Sequence, residues 1–206
     1  PEGQKKEGLW YSGEFLEKWT IDDLSQNSKT LLASLDGNVT HGDKLRLRFV
    51  KDHCQNANIL TTFYTTLPNP NTLDIKDQKI RVVFANQDTR ANVAFVSKFL
   101  LGYSAMLDLG WNNVEQLKHI FNGEDHLSMR LVQGPDFQPS VHFDILENNW
   151  SISGIEAALD YTSELCEDLG YKYFLTVDNA KLYKETIFTS TVLALASKYP
   201  IISHKK

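Results

Sequence analysis

The sequence predicts an α/β or α+β fold, a mixed sheet of about six strands around a central apolar helix. Three observations predict it. Segments between residues 44 and 86 alternate apolar and polar side chains or concentrate β-branched and aromatic ones. Residues 89–109 carry almost no polar face, the mark of a buried helix. A helical pattern from Ser153 to Leu169 lies between two strand-like segments, the length and order of a β-α-β crossover.

Taken in order, residues 1–12 are polar and glycine-containing and read as a weakly held arm. A helix is expected from Thr20: Thr20 with Asp23 approximates a capping box, Leu24, Leu31, Leu32 and Leu35 recur at helical spacing, and Gly37 stops it. Three strands follow, at 44–51, 59–67 and 80–86, with a polar loop over 68–78, and an antiparallel meander is their simplest assembly. The central helix, capped by Asp88 or Thr89 and ended by Gly110, packs in the core or forms an oligomer interface. A short helix over 113–121 precedes the Asn122-Gly123 turn. Residues 126–133 and 140–147 alternate as a hairpin. Ser153 and Glu156 then form a capping box for a helix ending at Gly170, followed by a strand at 171–178 and a last helix over 180–198. The reading is one domain over 1–206, with sub-lobes at 13–110 and 111–206 if it divides.

The 206 residues, 42% of them hydrophobic, suffice for a real core, and compositional disorder is excluded. No apolar run reaches the roughly 18 residues of a membrane span, and no signal-peptide pattern is read at the start of the sequence. The first residue is proline, as expected of a piece of a longer protein. Cys54 lies in a polar loop and Cys166 in a helical pattern, so a disulfide is not expected and the location reads as intracellular, cytoplasmic or nuclear. The triplets Asn38-Val39-Thr40 and Asn149-Trp150-Ser151 would matter only in a secreted chain.

The net charge of −5 divides unevenly. Residues 111–170 hold eleven acids against Lys118 and Arg130, a net of −9, and the rest of the chain carries +4. A globally basic nucleic-acid or membrane binder is excluded. Glu156, Asp160, Glu164 and Glu167 are spaced to line one helix face, a solvated surface or a docking site for a protein with a basic surface. His142 and Asp144 lie two apart on an expected strand, sharing a face as a catalytic base and its orienter, or as metal ligands with His126. Arg46, Arg48 and Arg81 with Tyr64 would form a stacking platform for nucleic acid if the meander pairs as drawn.

Phosphate-binding loops, dinucleotide fingerprints, nucleophile elbows and EF-hand loops are absent from the sequence. No cofactor is called for. These absences favour a non-catalytic protein-protein interaction or accessory domain over a metal-dependent or hydrolytic enzyme at His142 and Asp144, and over nucleic-acid binding.

Overall fold

The computed structural model describes residues 4–5, 8–10, 18–24, 29–39 and 43–172. In chain order its strands are β1 (Gln4–Lys5), β2 (Gly8–Trp10), β3 (Thr20–Asp23), β4 (Thr30–Asp36), β5 (Lys44–Val50), β6 (Asn56–Thr65), β7 (Lys79–Phe84), β8 (Gln87–Phe99), β9 (Gly102–Asn113), β10 (His126–Leu131) and β11 (Glu147–Ser151). The helices are α1 (Val114–Phe121), α2 (Pro139–His142) and α3 (Ile155–Lys172), with a 3-10 segment at Pro70–Ile75. The fold is α+β, on one antiparallel sheet in the order β1-β2-β3-β4-β5-β6-β9-β8-β7-β10-β11. The chain divides into two compact units, Pro1–Glu167 and Asp168–Lys206, and the whole sheet, α1, α2 and most of α3 lie in the first.

Period-two patterning builds the core. Leu45, Leu47 and Phe49 of β5 point inward, as do Ile80, Val82 and Phe84 of β7 and Leu127, Met129 and Leu131 of β10, all buried. The sheet curls so that distant strands meet across this interior. Thr61 of β6 donates its hydroxyl to the Met129 sulfur of β10, and the Phe63 and Phe143 rings meet edge to face.

The curl is fastened where β11 returns to the end of β4. Asn38 N donates to Asn149 O, and the Asn38 side-chain amide donates to that of Asn149, so the asparagines of the two glycosylation-type triplets hold each other. Beneath them the fully buried Asp43 accepts from Tyr64 N at 2.8 Å and from the Asn148 side chain at 2.7 Å. Gly37 leaves room for this: a Cβ there would lie 2.7 Å from the Asn148 amide nitrogen. Trp19, also fully buried, donates its indole N–H to Ser153 O and ties the entry to β3 to the turn before α3.

Where a helix from Thr20 to Gly37 is expected, the described residues form the strands β3 and β4, with Lys29 at a positive φ of 54° before β4. The leucine spacing fits both periods, but burial of Leu31, Ala33 and Leu35 follows period two. The expected central helix over 89–109 is the β8–β9 hairpin. Its apolar run has no helical stripe: Ala91, Val93, Ala105 and Leu107 face the core while Phe95 faces out. Gly102 is required there because a Cβ would fall 1.9 Å from Thr65 O.

The strands at 44–51, 59–67 and 80–86 exist, but not as a meander: β9 and β8 stand between β6 and β7. Strand β10 pairs with β11 rather than with 140–147, because Pro139 opens a helical turn and breaks the alternation. The β-α-β unit thereby loses its first strand. Helix α3 starts after Gly154, at a positive φ of 81°, not at a Ser153 cap, and continues through Gly170 to Lys172. The expected strand at 171–178 is therefore helical at its start; the rest of it and the helix over 180–198 lie outside the described residues. The short helix at 113–121 is α1, capped by the Asn113 side chain, which accepts from Glu115 N.

Contrary to expectation, Cys54 and Cys166 form a disulfide, with Cα atoms 5.5 Å apart and a separation of 112 positions in sequence. It pins α3 to the turn before β6, and Ser163 adds a hydroxyl bond to Cys54 O. Replacing both cysteines by serine should lower unfolding free energy by about 2–5 kcal/mol, measured by urea denaturation. Asn148→Ala removes a donor from the buried Asp43 carboxylate and should cost about 3 kcal/mol in the same assay. A loss under about 0.5 kcal/mol would mean the seam does not depend on this bond.

Candidate functional site

The structure separates His142 from Asp144. His142 ends α2, stacks flat on Phe137 with ring centroids 5.5 Å apart, and sets Nδ1 3.3 Å from the Thr72 hydroxyl. Burial holds its pKa below the ordinary 6.5. Asp144 instead turns to Thr66, accepting from its amide at 3.1 Å and its hydroxyl at 2.6 Å. Burial alone would raise the Asp144 pKa, but the bonds from Thr66, its own backbone and Thr65 together outweigh it and hold the group below its ordinary value. His126 opens β10 opposite Ser151, at the end of that strand away from Leu131, whose amide meets Leu146 O. No group of three or more histidine, cysteine or acidic side chains able to hold a metal is found among the described residues.

The arginine set is likewise split. Arg46 and Arg48 share a face of β5 with Tyr64 of β6. Arg46 donates to the Thr62 hydroxyl, and its burial lowers its pKa. Arg48 lies over the Trp111 ring, 5.2 Å from its centroid, beside an apolar pocket of about 380 Å³ that Trp111 shares with Val50, His53 and Asn56. Arg81 pairs with Arg90 three strands away from β6 and binds Asp88, which raises its pKa. Tyr64 meets Phe99 edge to face. No common platform joins the four.

The acidic set stays together. Glu156, Asp160, Glu164 and Glu167 are all exposed on α3. Two acids that helix spacing could not reveal join the first two: Glu124 and Asp125, from the turn after α1, line the same cleft as Glu156 and Asp160. The backbone bond from Ile152 N to Asp125 O fixes that turn beside α3. The cleft measures about 490 Å³, and the buried Phe121, Ile152 and Ile155 also line it. Lys118 of α1 bridges Asp160 and Glu115, and these bonds raise its pKa. One cation thus offsets part of four cleft carboxylates, and the helix dipole at the start of α3 offsets a further fraction.

At the far end of β9 the β8–β9 turn exposes Leu100 at 96% and Leu101 at 70%. Fully burying one leucine is worth about 1.5–3 kcal/mol, so this is a large apolar exposure for two residues. Its signal was present in the letters Phe99-Leu100-Leu101-Gly102, but a helix assignment places leucines inside.

The fold and sites define a class, a disulfide-bridged α+β domain on one rolled antiparallel sheet, with an acid-rimmed cleft. Compared with known proteins, the chain matches no family model, no curated protein and no solved structure. No helix among the described residues is long and apolar enough to cross a membrane.

The histidine makes a pH prediction. Folding disfavours protonated His142, so above pH 6.5 the group adds no pH dependence, and below it the unfolded chain binds the proton more readily. Stability should fall as pH drops from 6.5 to the depressed native value, and His142→Gln should remove that component of the slope in urea titrations. Asp144 acts lower: its contribution is present above its ordinary value of 3.8 and is lost as pH falls through its native value.

Proposed function

We propose that the protein is a non-catalytic interaction domain that captures a basic segment of a protein partner at the acidic end of its sheet. The cleft between α3 and the turn after α1 carries this reading. Glu124, Asp125, Glu156 and Asp160 rim it over Phe121, Ile152 and Ile155, a combination suited to a lysine or arginine side chain flanked by an apolar one. Glu164 and Glu167 extend the same charge along α3. Exposed carboxylates facing a basic partner speed encounter and fix orientation.

The disulfide supports an oxidising compartment rather than the cytoplasm or nucleus as the place of work, since thiols there are kept reduced. Partners present in such a compartment are therefore the relevant ones.

A peptide alternating lysine and leucine is the probe. Its affinity for the oxidised protein, followed by fluorescence anisotropy, should weaken steadily as salt is raised. Paired Glu124→Lys and Glu156→Lys substitutions should weaken it by about tenfold or more while leaving the melting temperature unchanged. Equal affinity in that variant, or insensitivity to salt, would reject the cleft as the docking site.

A further inference from the structure

We propose that the β8–β9 hairpin is a membrane-docking wedge, inserting Phe99, Leu100 and Leu101 into the outer part of a bilayer that carries anionic lipid. The fold does not need these side chains where they are. Phe99 pairs with Gly102, so Leu100 and Leu101 are the two-residue turn itself, a place where glycine, asparagine and aspartate ordinarily stand. Neither leucine has a positive φ, so no backbone demand accounts for them.

The tip is braced rather than loose. Gly102 packs against Thr65 O, the register from β6 holds through Tyr103, and Tyr64 supports Phe99 with centroids 5.3 Å apart. The hairpin also outruns its other neighbour: β7 pairs with β8 from Gln87 to Asn92, and Asp77 and Gln78 bond the backbone of Val93, leaving Ala94 to Phe99 beyond that ladder. Its exposed apolar side chains are thus held out in advance of any encounter, which lowers the ordering cost of binding.

Area and charge select the occupant. Phe99 is only 36% exposed, so three side chains offer well under the roughly 800 Å² per partner of a stable protein interface. A lipid surface needs no complementary pocket and accepts a few inserted apolar groups. Lys98 adjoins the wedge and makes no ion pair among the described residues, placing a cation at the depth of lipid phosphates. Because β8 beyond Val93 has no strand partner on its β7 side, only the tip can enter hydrocarbon without burying unpaired backbone, so insertion is shallow and does not span.

The test is flotation of the oxidised full chain with vesicles of phosphatidylcholine alone and with about 30 mol% phosphatidylserine. The wild type should float with the anionic vesicles, and paired Leu100→Ser and Leu101→Ser should lower binding by about tenfold or more at unchanged melting temperature. Lys98→Glu should remove the preference for anionic vesicles, and Leu100→Trp should gain a blue-shifted emission, absent from the wild type, when vesicles are added. Vesicle binding that survives the serine pair, or a tryptophan variant whose emission does not move, would overturn the proposal. So would wild-type self-association abolished by the serine pair without vesicle binding, which would make the tip a contact between copies. Glu124→Lys with Glu156→Lys should leave flotation intact, so failure here and failure of the acidic cleft are read separately.

Discussion

A buried carboxylate fastens the rolled sheet. Asp43 lies in the connection before β5, yet it binds the backbone of β6 and the side chain of Asn148 in β11. A carboxylate in the interior is tolerated only when its oxygens are satisfied, so any slip that separates these three pieces breaks bonds that it needs. The seam register is thereby fixed, and Gly37 and Asn38 follow it into contact with Asn148 and Asn149.

Placement of β11 fixes what comes after it. Ile152 leaves the strand, bonds Asp125 and starts the turn into α3, so the seam also determines where the cleft carboxylates converge. Farther along α3, Cys166 arrives beside Cys54 and locks the helix to the turn before β6. Asp43, the seam, the helix and the disulfide form one chain of dependence, from a single buried carboxylate to the acidic surface.

Strand β9 connects the two surfaces argued to act. One end turns into α1, whose Lys118 holds Asp160, and the other carries the leucine turn, about 35 Å away at the usual strand rise. A domain docked by the hairpin would present the acidic cleft away from the lipid surface. Elsewhere His142 stacks on Phe137, Arg46 bonds Thr62 and Arg48 lies over Trp111.

The sequence by itself determined those elements whose signal is local. Lys44–Val50 alternates cleanly, residues 113–121 read as a short helix, and the four acids of α3 recur at helical spacing, so strand, short helix and charged face were legible within ten or so residues. Tertiary structure decided the rest. The leucines of β4 and the apolar run of β8 and β9 fit two periods, and only pairing with neighbouring strands chose between them. Which strand lies beside which, that Cys54 meets Cys166, and that Glu124 and Asp125 complete the cleft all depend on residues far apart in the chain. Periodicity and capping act over a turn or a strand; closure of the sheet acts over the whole domain, and its energy is written in contacts that no local window contains.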